Sequence, residues 1–300
     1  MKIGRKNCLT IEIGGTDTKY GLLKEDGHVV IKGSRRTEKS RDRFVDQIGS
    51  LIQRHRDQVA GVGLCLPGVV DTREGRVLSC AALPFLETSH FVELLQQSFP
   101  SLPMTLENDG NAAALAEKWL GNLMPVTNGA ILVLGSGVGA AIFINGQLFQ
   151  GSHFVAGEPS FMVMNDAYGP VEESTAAGLS AVGMVRTIGT SLGLVDPEDG
   201  RAVFSAINAG NEAAVQIFRE FCHAVAVLIF NLQSVLDLER VVIGGGISGQ
   251  PIVAQQIARE FNALKQVTPL AARTLVTPEI MNARLHNDAN LIGAIYHLEH

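Results

Sequence analysis

Cysteine is scarce and scattered in this chain, at Cys8, Cys65, Cys80 and Cys222. No two stand at a C-x-x-C spacing, so neither a zinc knuckle nor a redox pair is indicated. Apolar neighbours around Cys65 and Cys222 suit buried, reduced thiols of a cytosolic protein. Basic charge is not in excess either: the formal net charge is -6 and the pI about 5.8. That disfavours a nucleic-acid duplex as main partner, since such partners draw a basic face. Long apolar runs are missing as well. The basic start, Met1 to Asn7, leads into an apolar stretch that meets Glu12 and glycines at once, so no signal-peptide core is expected. The most apolar segment, Ala224 to Phe230, reads as too short to span a bilayer. A Walker A pattern is absent, and with it support for a P-loop ATPase. The expectation is a soluble cytoplasmic protein with no membrane or nucleic-acid partner. The final Leu298-Glu299-His300 resembles the start of a histidine tag and is set apart from function.

What is present is 46% hydrophobic and 18% charged, an ordinary globular composition. A length of 300 residues suits about two domains. Leu9 to Ile13 reads as a strand, Gly14-Gly15-Thr16 as a turn and Lys19 to Leu23 as the returning strand, followed by an Asp26-Gly27 turn signal. The layout recurs at mid-chain. Ala130 to Leu134 is a strand, Gly135-Ser136-Gly137 turns it, Gly139 to Ile144 returns, and Asn145-Gly146 leads into Gln147 to Phe149. One such hairpin per half points to an internal duplication. Two related halves with a cleft between them suit a two-substrate reaction. Arg41 to His55 is an amphipathic helix with Phe44, Ile48, Leu51 and Ile52 on one face. Ala112 to Leu120 is an alanine-rich helix that stops at Gly121, and Glu212 to Leu236 a long, mostly buried one. Val241 to Ile243 is a short buried strand. Crossings near Asn108 and Arg284 would divide the α/β chain into a smaller domain, 1–108 with a C-terminal helix in 285–300, and a larger one, 109–284.

Glycine-rich turns let successive main-chain N–H groups form a concave nest for an anion. Each turn taken alone is equally a tight strand ending. The matched pair, with the Thr16 and Ser136 hydroxyls inside it, points to clamps on the phosphates of one nucleotide. Gly244, Gly246 and Gly249 also fit the dinucleotide fingerprint G-x-G-x-x-G. That reading wants an acidic residue about 20 positions on, ending the next strand. Leu264 to Leu270 holds none, so Gly244, Gly245 and Gly246 are expected to pack against an adenosine ring.

Glu107-Asn108-Asp109-Gly110-Asn111 precedes the alanine-rich helix, where Asn and Asp are preferred caps. A carboxylate there is also expected to be held ionised by the helix dipole. An ionised, fixed carboxylate is what a kinase needs to accept the proton of an attacking hydroxyl. Asn108 beside it both donates and accepts hydrogen bonds. Lone glutamates are usually solvated, yet Glu158 sits between Phe154-Val155 and Phe161-Met162. With Glu172 and Glu173 it adds carboxylates of the kind that take hydroxyl protons of a polyol.

Taken together these motifs resemble the ROK family of sugar kinases, within the actin-like ATPase (ribonuclease H-like) duplicated fold. Ile11 to Thr16 through Lys19 resembles the family's first phosphate motif, Leu66-Pro67-Gly68-Val69-Val70-Asp71 its PG-x-x-D segment and Glu107 to Ala114 its E-N-D-A-N-A-A motif. Leu134 to Gly137 resembles its second phosphate motif and Ala156-Gly157-Glu158 its A-G-E motif. Asn231 to Gly246 and Leu291 to Ala294 resemble its adenosine region and C-terminal helix. The resemblance covers nearly the whole chain in order. It implies an ATP-dependent carbohydrate kinase, a cytoplasmic homodimer, with Asp109 as catalytic base and Gly68, Asn108, Glu158 and Glu173 on the sugar. Glu12, Gly14, Gly15, Thr16, Lys19, Ser136, Gly137, Gly244, Gly245 and Gly246 would serve ATP, with Mg²⁺ bridging its phosphates.

Three departures stand out. Glu12 replaces the family's Asp, which puts nucleotide affinity or rate in question. Phe161 replaces the histidine after A-G-E-x-G, and Ser160 the glycine. The cysteine-rich zinc motif is missing between Phe161 and Gly178. The zinc-free pattern is most similar to β-glucoside kinases, with N-acetylmannosamine kinase, glucokinase and a catalytically weak sugar-binding protein as alternatives. A repressor of the same family would need a helix-turn-helix before the first motif, and Met1 to Leu9 is too short for one. Phe161 is expected either to stack on a group at the anomeric oxygen or to pack in the core with Met162 and Phe154. The thiols are too dispersed for a structural zinc, so elemental analysis of the purified protein should find no stoichiometric zinc. Added Mg²⁺ alone should restore activity after EDTA; a tightly held zinc required for folding would refute this.

Overall fold

The run from Cys8 to Ile13 is apolar except for Thr10 and Glu12, and it is buried on both faces up to Ile11, as a central strand covered by helices must be. It forms β1 (Asn7–Ile13), which pairs antiparallel with β2 (Asp17–Leu23), itself antiparallel to β3 (Val29–Arg36). On its other side β1 runs parallel to β4 (Val59–Leu66), and the hairpin β5 (Val69–Asp71) and β6 (Arg76–Ser79) intervenes before β7 (Met104–Asn108) pairs parallel with β4. The order is β3-β2-β1-β4-β7. Helix α1 (Arg41–His55) lays Phe44, Ile48, Leu51 and Ile52 into the core of this sheet, as its periodicity predicts. Helices α2 (Phe91–Gln96) and α3 (Asp109–Leu120) follow.

The described residues are 7–165, 174–267 and 269–300 of this computed structural model. They fall into two units: Met1–Met124 with Gly151–Val155 and Asn287–His300, and Pro125–Gln150 with Ala156–His286. In the second unit β8 (Gly129–Leu134), β9 (Val138–Ile144) and β10 (Gln147–Leu148) form the antiparallel part of a sheet. β11 (Arg240–Gly245) and β12 (Glu279–Asn282) add to β8 in parallel, giving the order β10-β9-β8-β11-β12. Order and parallelism repeat those of the first sheet strand for strand, so the duplication read from the hairpins extends to whole sheets.

Helices α4 (Ala181–Ser191), α5 (Gly200–Asn208), α6 (Glu212–Leu236), α7 (Pro251–Val267) and α8 (Pro269–Thr274) complete the second unit. By length and composition α6 could cross a membrane, although its apolar centre alone reads as too short. Phe218, Cys222, Val225, Ile229 and other residues of α6 are buried in the core of this unit, which accounts for its apolarity without a bilayer. Helices α9 (Ala289–Ala294) and α10 (Tyr296–Glu299) belong to the first unit.

One expectation needs correction. The division expected at Asn108 falls after Met124, because α3 packs on α9 within the first unit. The dinucleotide reading, set aside above, would need a strand near Leu264 to Leu270, but 264–267 lie in α7. The next strand, β12 (Glu279–Asn282), ends on Asn282, where that reading requires an acidic residue.

The α3–α9 contact is made backbone to backbone. A Cβ on Gly293 would strike the Ala112 carbonyl oxygen, and one on Gly63 of β4 would strike the carbonyl of Ala294. Gly49, in the middle of α1, has nothing within 4 Å of where its Cβ would stand. Gly293→Ala should therefore destabilise the chain by about 1–3 kcal/mol, the usual range for overpacking. Gly49→Ala should stabilise it by up to about 1 kcal/mol through helix propensity. Urea unfolding that shifts both variants in the same direction would contradict this picture.

Candidate active site

The first unit gathers its polar residues where β1, β4 and β7 end. Asp109 is the first residue of α3 and Asn108 its N-cap, with Asn108 Oδ1 accepting from the Asn111 amide at 3.0 Å. Asn108 Nδ2 donates to the Gly68 carbonyl at 2.8 Å. Gly68 has φ 112°, and a Cβ there would strike the Ser79 carbonyl, so only glycine fits where its own carbonyl meets Asn108. Across the β1–β2 ladder Glu12 stands opposite Lys19, whose Nζ donates to Glu12 Oε1 at 3.0 Å and Oε2 at 3.2 Å. Asn290 of α9 donates to the same Oε1 at 3.2 Å.

The turn between these strands is tied in place. The Gly14 amide donates to the Asp17 carbonyl at 3.0 Å. The Thr37 amide donates to the Thr16 carbonyl at 2.9 Å, and the Thr37 hydroxyl to the Gly14 carbonyl at 2.7 Å. Lys39 places its ammonium on the Gly15 carbonyl, and Ala82 lies 3.3 Å from where a Gly15 Cβ would be.

Asp109 departs from the expectation that the helix dipole keeps it readily ionised. Burial raises its pKa above the ordinary 3.8; the Gly110 amide, donating to Oδ1 at 2.8 Å, opposes this, and the charge of Glu12 adds to the rise. Desolvation outweighs the dipole because α3 begins inside the unit rather than at its surface.

The second unit gathers its own set. The Gly135-Ser136-Gly137 turn is closed by the Gly135 amide on the Gly137 carbonyl at 2.9 Å, and the Val182 amide of α4 donates to the Gly135 carbonyl at 3.3 Å. Beside it, the strand expected over Val241 to Ile243 runs on through Gly244 and Gly245, which end β11 in register with Val133 and Leu134. Gly245 has φ 91°, and a Cβ would strike the Leu134 carbonyl. Gly135 and Gly246 face open space.

Strand β9, leaving the same turn, carries the A-G-E segment. The Ala140 amide donates to the Gly157 carbonyl at 3.0 Å and the Ser160 hydroxyl to the Val138 carbonyl at 2.5 Å. Ser136, Gly137 and Gly244 to Gly246 thus lie at strand ends, while Glu158 precedes and Phe161 ends a short helical turn, Pro159–Phe161, tied to β9 by these bonds. Phe161 is 72% exposed, which removes the core-packing alternative. Glu173 and Glu172 lie outside the described residues.

A family model described as "ROK family" matches residues 8–300. The chain belongs to the ROK family. Among its relatives, a β-glucoside kinase of Listeria monocytogenes is 26% identical over 95% of each chain. A glucokinase of Halalkalibacterium halodurans is 26% identical over 94% of this chain and 92% of its own. A solved ROK family protein of Streptococcus pneumoniae TIGR4, in complex with sucrose, aligns with TM-score 0.83 and 29% identity over 97% of each chain. The mixed α/β content and paired sheet order of this ROK chain are consistent with the actin-like ATPase fold.

Four residues that bear on the site were not singled out in the sequence. Asn290 and His297 lie in the C-terminal helices, Thr37 and Lys39 after β3. None stands in a motif of its own, and their partners are distant in sequence, so only hydrophilic residues beside an apolar helix hinted at the first two.

The raised pKa gives a test that needs no activity. Because the folded chain holds the Asp109 proton more tightly than the unfolded chain, this stability is fully present below about pH 3.9. It is lost as pH rises through the folded value. Carboxyl NMR should place the Asp109 midpoint above 3.8, and Glu12→Gln should lower it by removing the like charge. A midpoint below 3.8 would show that the dipole prevails after all.

Proposed function

We propose that the chain is an ATP-dependent sugar kinase that phosphorylates the 6-hydroxyl of a hexose or a β-glucoside. The observation that carries this is the Asp109 turn. It presents a desolvated carboxylate at the head of α3, braced by Asn108 on Gly68 and lying within reach of the charge of Glu12. Burial raises the Asp109 pKa, and a base shifted in that direction is better matched to proton transfer at neutral pH. Asp109 would take the hydroxyl proton as the sugar oxygen bonds to the γ-phosphorus and the bond from that phosphorus to the β-phosphate oxygen breaks, releasing ADP. Asn108 and Gly68 would orient the neighbouring hydroxyls, and Glu158 and Glu173 would accept from others.

The Gly14–Thr16 and Gly135–Gly137 turns suit phosphate, and Gly244 to Gly246, with open space at Gly246, suit the adenosine. Glu12 and Asp109 are hard oxygen donors of the type that holds Mg²⁺ through water, and the bound ion would supply charge stabilisation at the phosphates. Lys19 and Asn290 fix the longer Glu12 side chain, which favours an active enzyme over a weak binder. ATP with Mg²⁺, a cytoplasmic location and a homodimer belong to the same reading. So does a cleft between domains that closes on sugar to exclude water; sugar-induced compaction in small-angle scattering is its test.

The finer reading, a substituent on the anomeric oxygen, is favoured by the exposure of Phe161. An exposed phenyl ring offers a stacking face and no hydrogen bond. ADP release should be measured over glucose, N-acetylmannosamine, cellobiose and an aryl β-glucoside. The β-glucosides should show kcat/KM at least equal to that of glucose. Asp109→Asn should lower kcat by about 10²-fold or more with little change in sugar affinity. Preference for a free sugar would leave the kinase and remove the β-glucoside. No sugar-dependent ADP release would leave only a sugar-binding protein.

A further inference from the structure

Glu107 is the one member of the Glu107–Asn111 turn that faces away from solvent, 1% exposed at the end of β7. A buried carboxylate is costly unless hydrogen-bonded, and removing a partner from it costs more than the bond is worth. Three donors converge on it. The Asn108 amide reaches Oε1 at 2.7 Å, Asn111 Nδ2 reaches Oε1 at 3.1 Å, and His297 Nε2 stands 3.1 Å from Oε2. The imidazole meets this oxygen with Nε2, which as Nε2–H donates to a carboxylate oxygen.

The first two donors are the residues on either side of Asp109. The third comes from 190 residues further along, on α10, whose position follows from the packing of α9 on α3 and β4. The His297 ring is held edge-on by Tyr296, with centroids 5.6 Å apart and planes at 87°. Its side chain is 38% exposed, so the ring reaches from water to a carboxylate that water does not reach.

We propose that His297 is a positioning residue for Asp109, acting through Glu107. The inference rests on the reading of Asp109 as base. By taking Oε2, His297 leaves Oε1 to the Asn108 amide and the Asn111 side chain together. Those two bonds hold the turn that aims Asp109 and places Asn108 on Gly68. Without His297 the carboxylate has one unpaired oxygen in a dry site and will rotate toward another donor, shifting the turn with it. Contacts made outside this turn are untouched, so the loss falls more heavily on turnover, which needs Asp109 aimed, than on binding, to which Asn108 and Gly68 contribute only a part.

The experiment compares His297→Leu, which keeps bulk without a donor, with His297→Gln, whose amide restores one. Kinetics and hydrogen exchange of the peptide covering 107–111 are read on the full chain. His297→Leu should lower kcat by about 10-fold or more, within the ~10²-fold that a misplacement near 1 Å produces. Sugar affinity by calorimetry should fall by a smaller factor than kcat, and exchange over 107–111 should quicken without a general rise. His297→Gln should recover most of both. Adding His297→Leu to Glu107→Gln should cost nothing beyond Glu107→Gln alone, because the route is shared.

Native kcat in His297→Leu, equal losses in the Leu and Gln variants, or losses that multiply in the double variant would each overturn the proposal. Unchanged exchange over 107–111 would overturn it in the resting protein, with no reference to turnover. Failure of the base assignment is seen separately, as native kcat in Asp109→Asn, and it would take the catalytic part of the proposal with it.

Discussion

The first unit depends on a contact that no side chain makes. Helix α9 lies against α3 at Gly293 and against β4 at Gly63, close enough that a single methyl group at either glycine would collide with a main-chain carbonyl. The Thr105 hydroxyl of β7 also donates to the Ala294 carbonyl, at 3.3 Å. Dispersion between packed backbones is individually weak and collectively large, and it tolerates little displacement. Seating α9 in this way brings Asn290 to Glu12 and carries the chain on so that His297 reaches Glu107. Two of the carboxylates around the proposed base are therefore oriented by the last dozen residues of the chain.

The same device recurs in the second unit. Gly245 ends β11 against the Leu134 carbonyl at the mouth of the Gly135–Gly137 turn, where a Cβ would again collide. In both units glycine sits where parallel strands end and a polar loop begins. Strand ends in such sheets are where ligands are bound in α/β folds generally. The glycines that matter here are of two kinds: some bring backbones together, as Gly63, Gly245 and Gly293 do, and others, such as Gly135 and Gly246, leave a surface open. The pattern of glycines in the sequence does not separate the two.

Electrostatics in the first unit runs against simple expectation. A helix N-terminus favours an ionised carboxylate by a few tenths to about 1 kcal/mol at exposed sites. Burial penalises the same charge by more, and Glu12 adds a like charge, so Asp109 holds its proton to higher pH. Cys65, wholly buried among Glu12, Asp109 and Glu107, has its thiol pushed well up, first by burial and then by those charges. Carboxylates concentrated around a dry centre are destabilising in themselves, and they persist because Lys19, Asn290, Asn111 and His297 meet them.

Local chemistry made much of this legible from residues alone. The bounds of α1 and α6 follow from periodicity, because a buried face repeats with the helix turn. Both glycine hairpins follow from turn residues between apolar strands, and Asn108 is the cap its type predicts. The strand expected over Val241 to Ile243 is longer than its apolar residues mark, because pairing with β8 holds Gly244 and Gly245 in it where glycine has no strand propensity. The boundary after Met124, the exposure of Phe161 and the direction of the Asp109 shift were likewise decided only in three dimensions. So were the partners of Glu12 and Glu107, which lie 278 and 190 residues away. By itself the sequence determined the elements and the order of its motifs, since propensity and periodicity act over a few neighbours. Tertiary structure decided which carboxylates are dry and what holds them, since desolvation and hydrogen bonding depend on groups that only folding brings together.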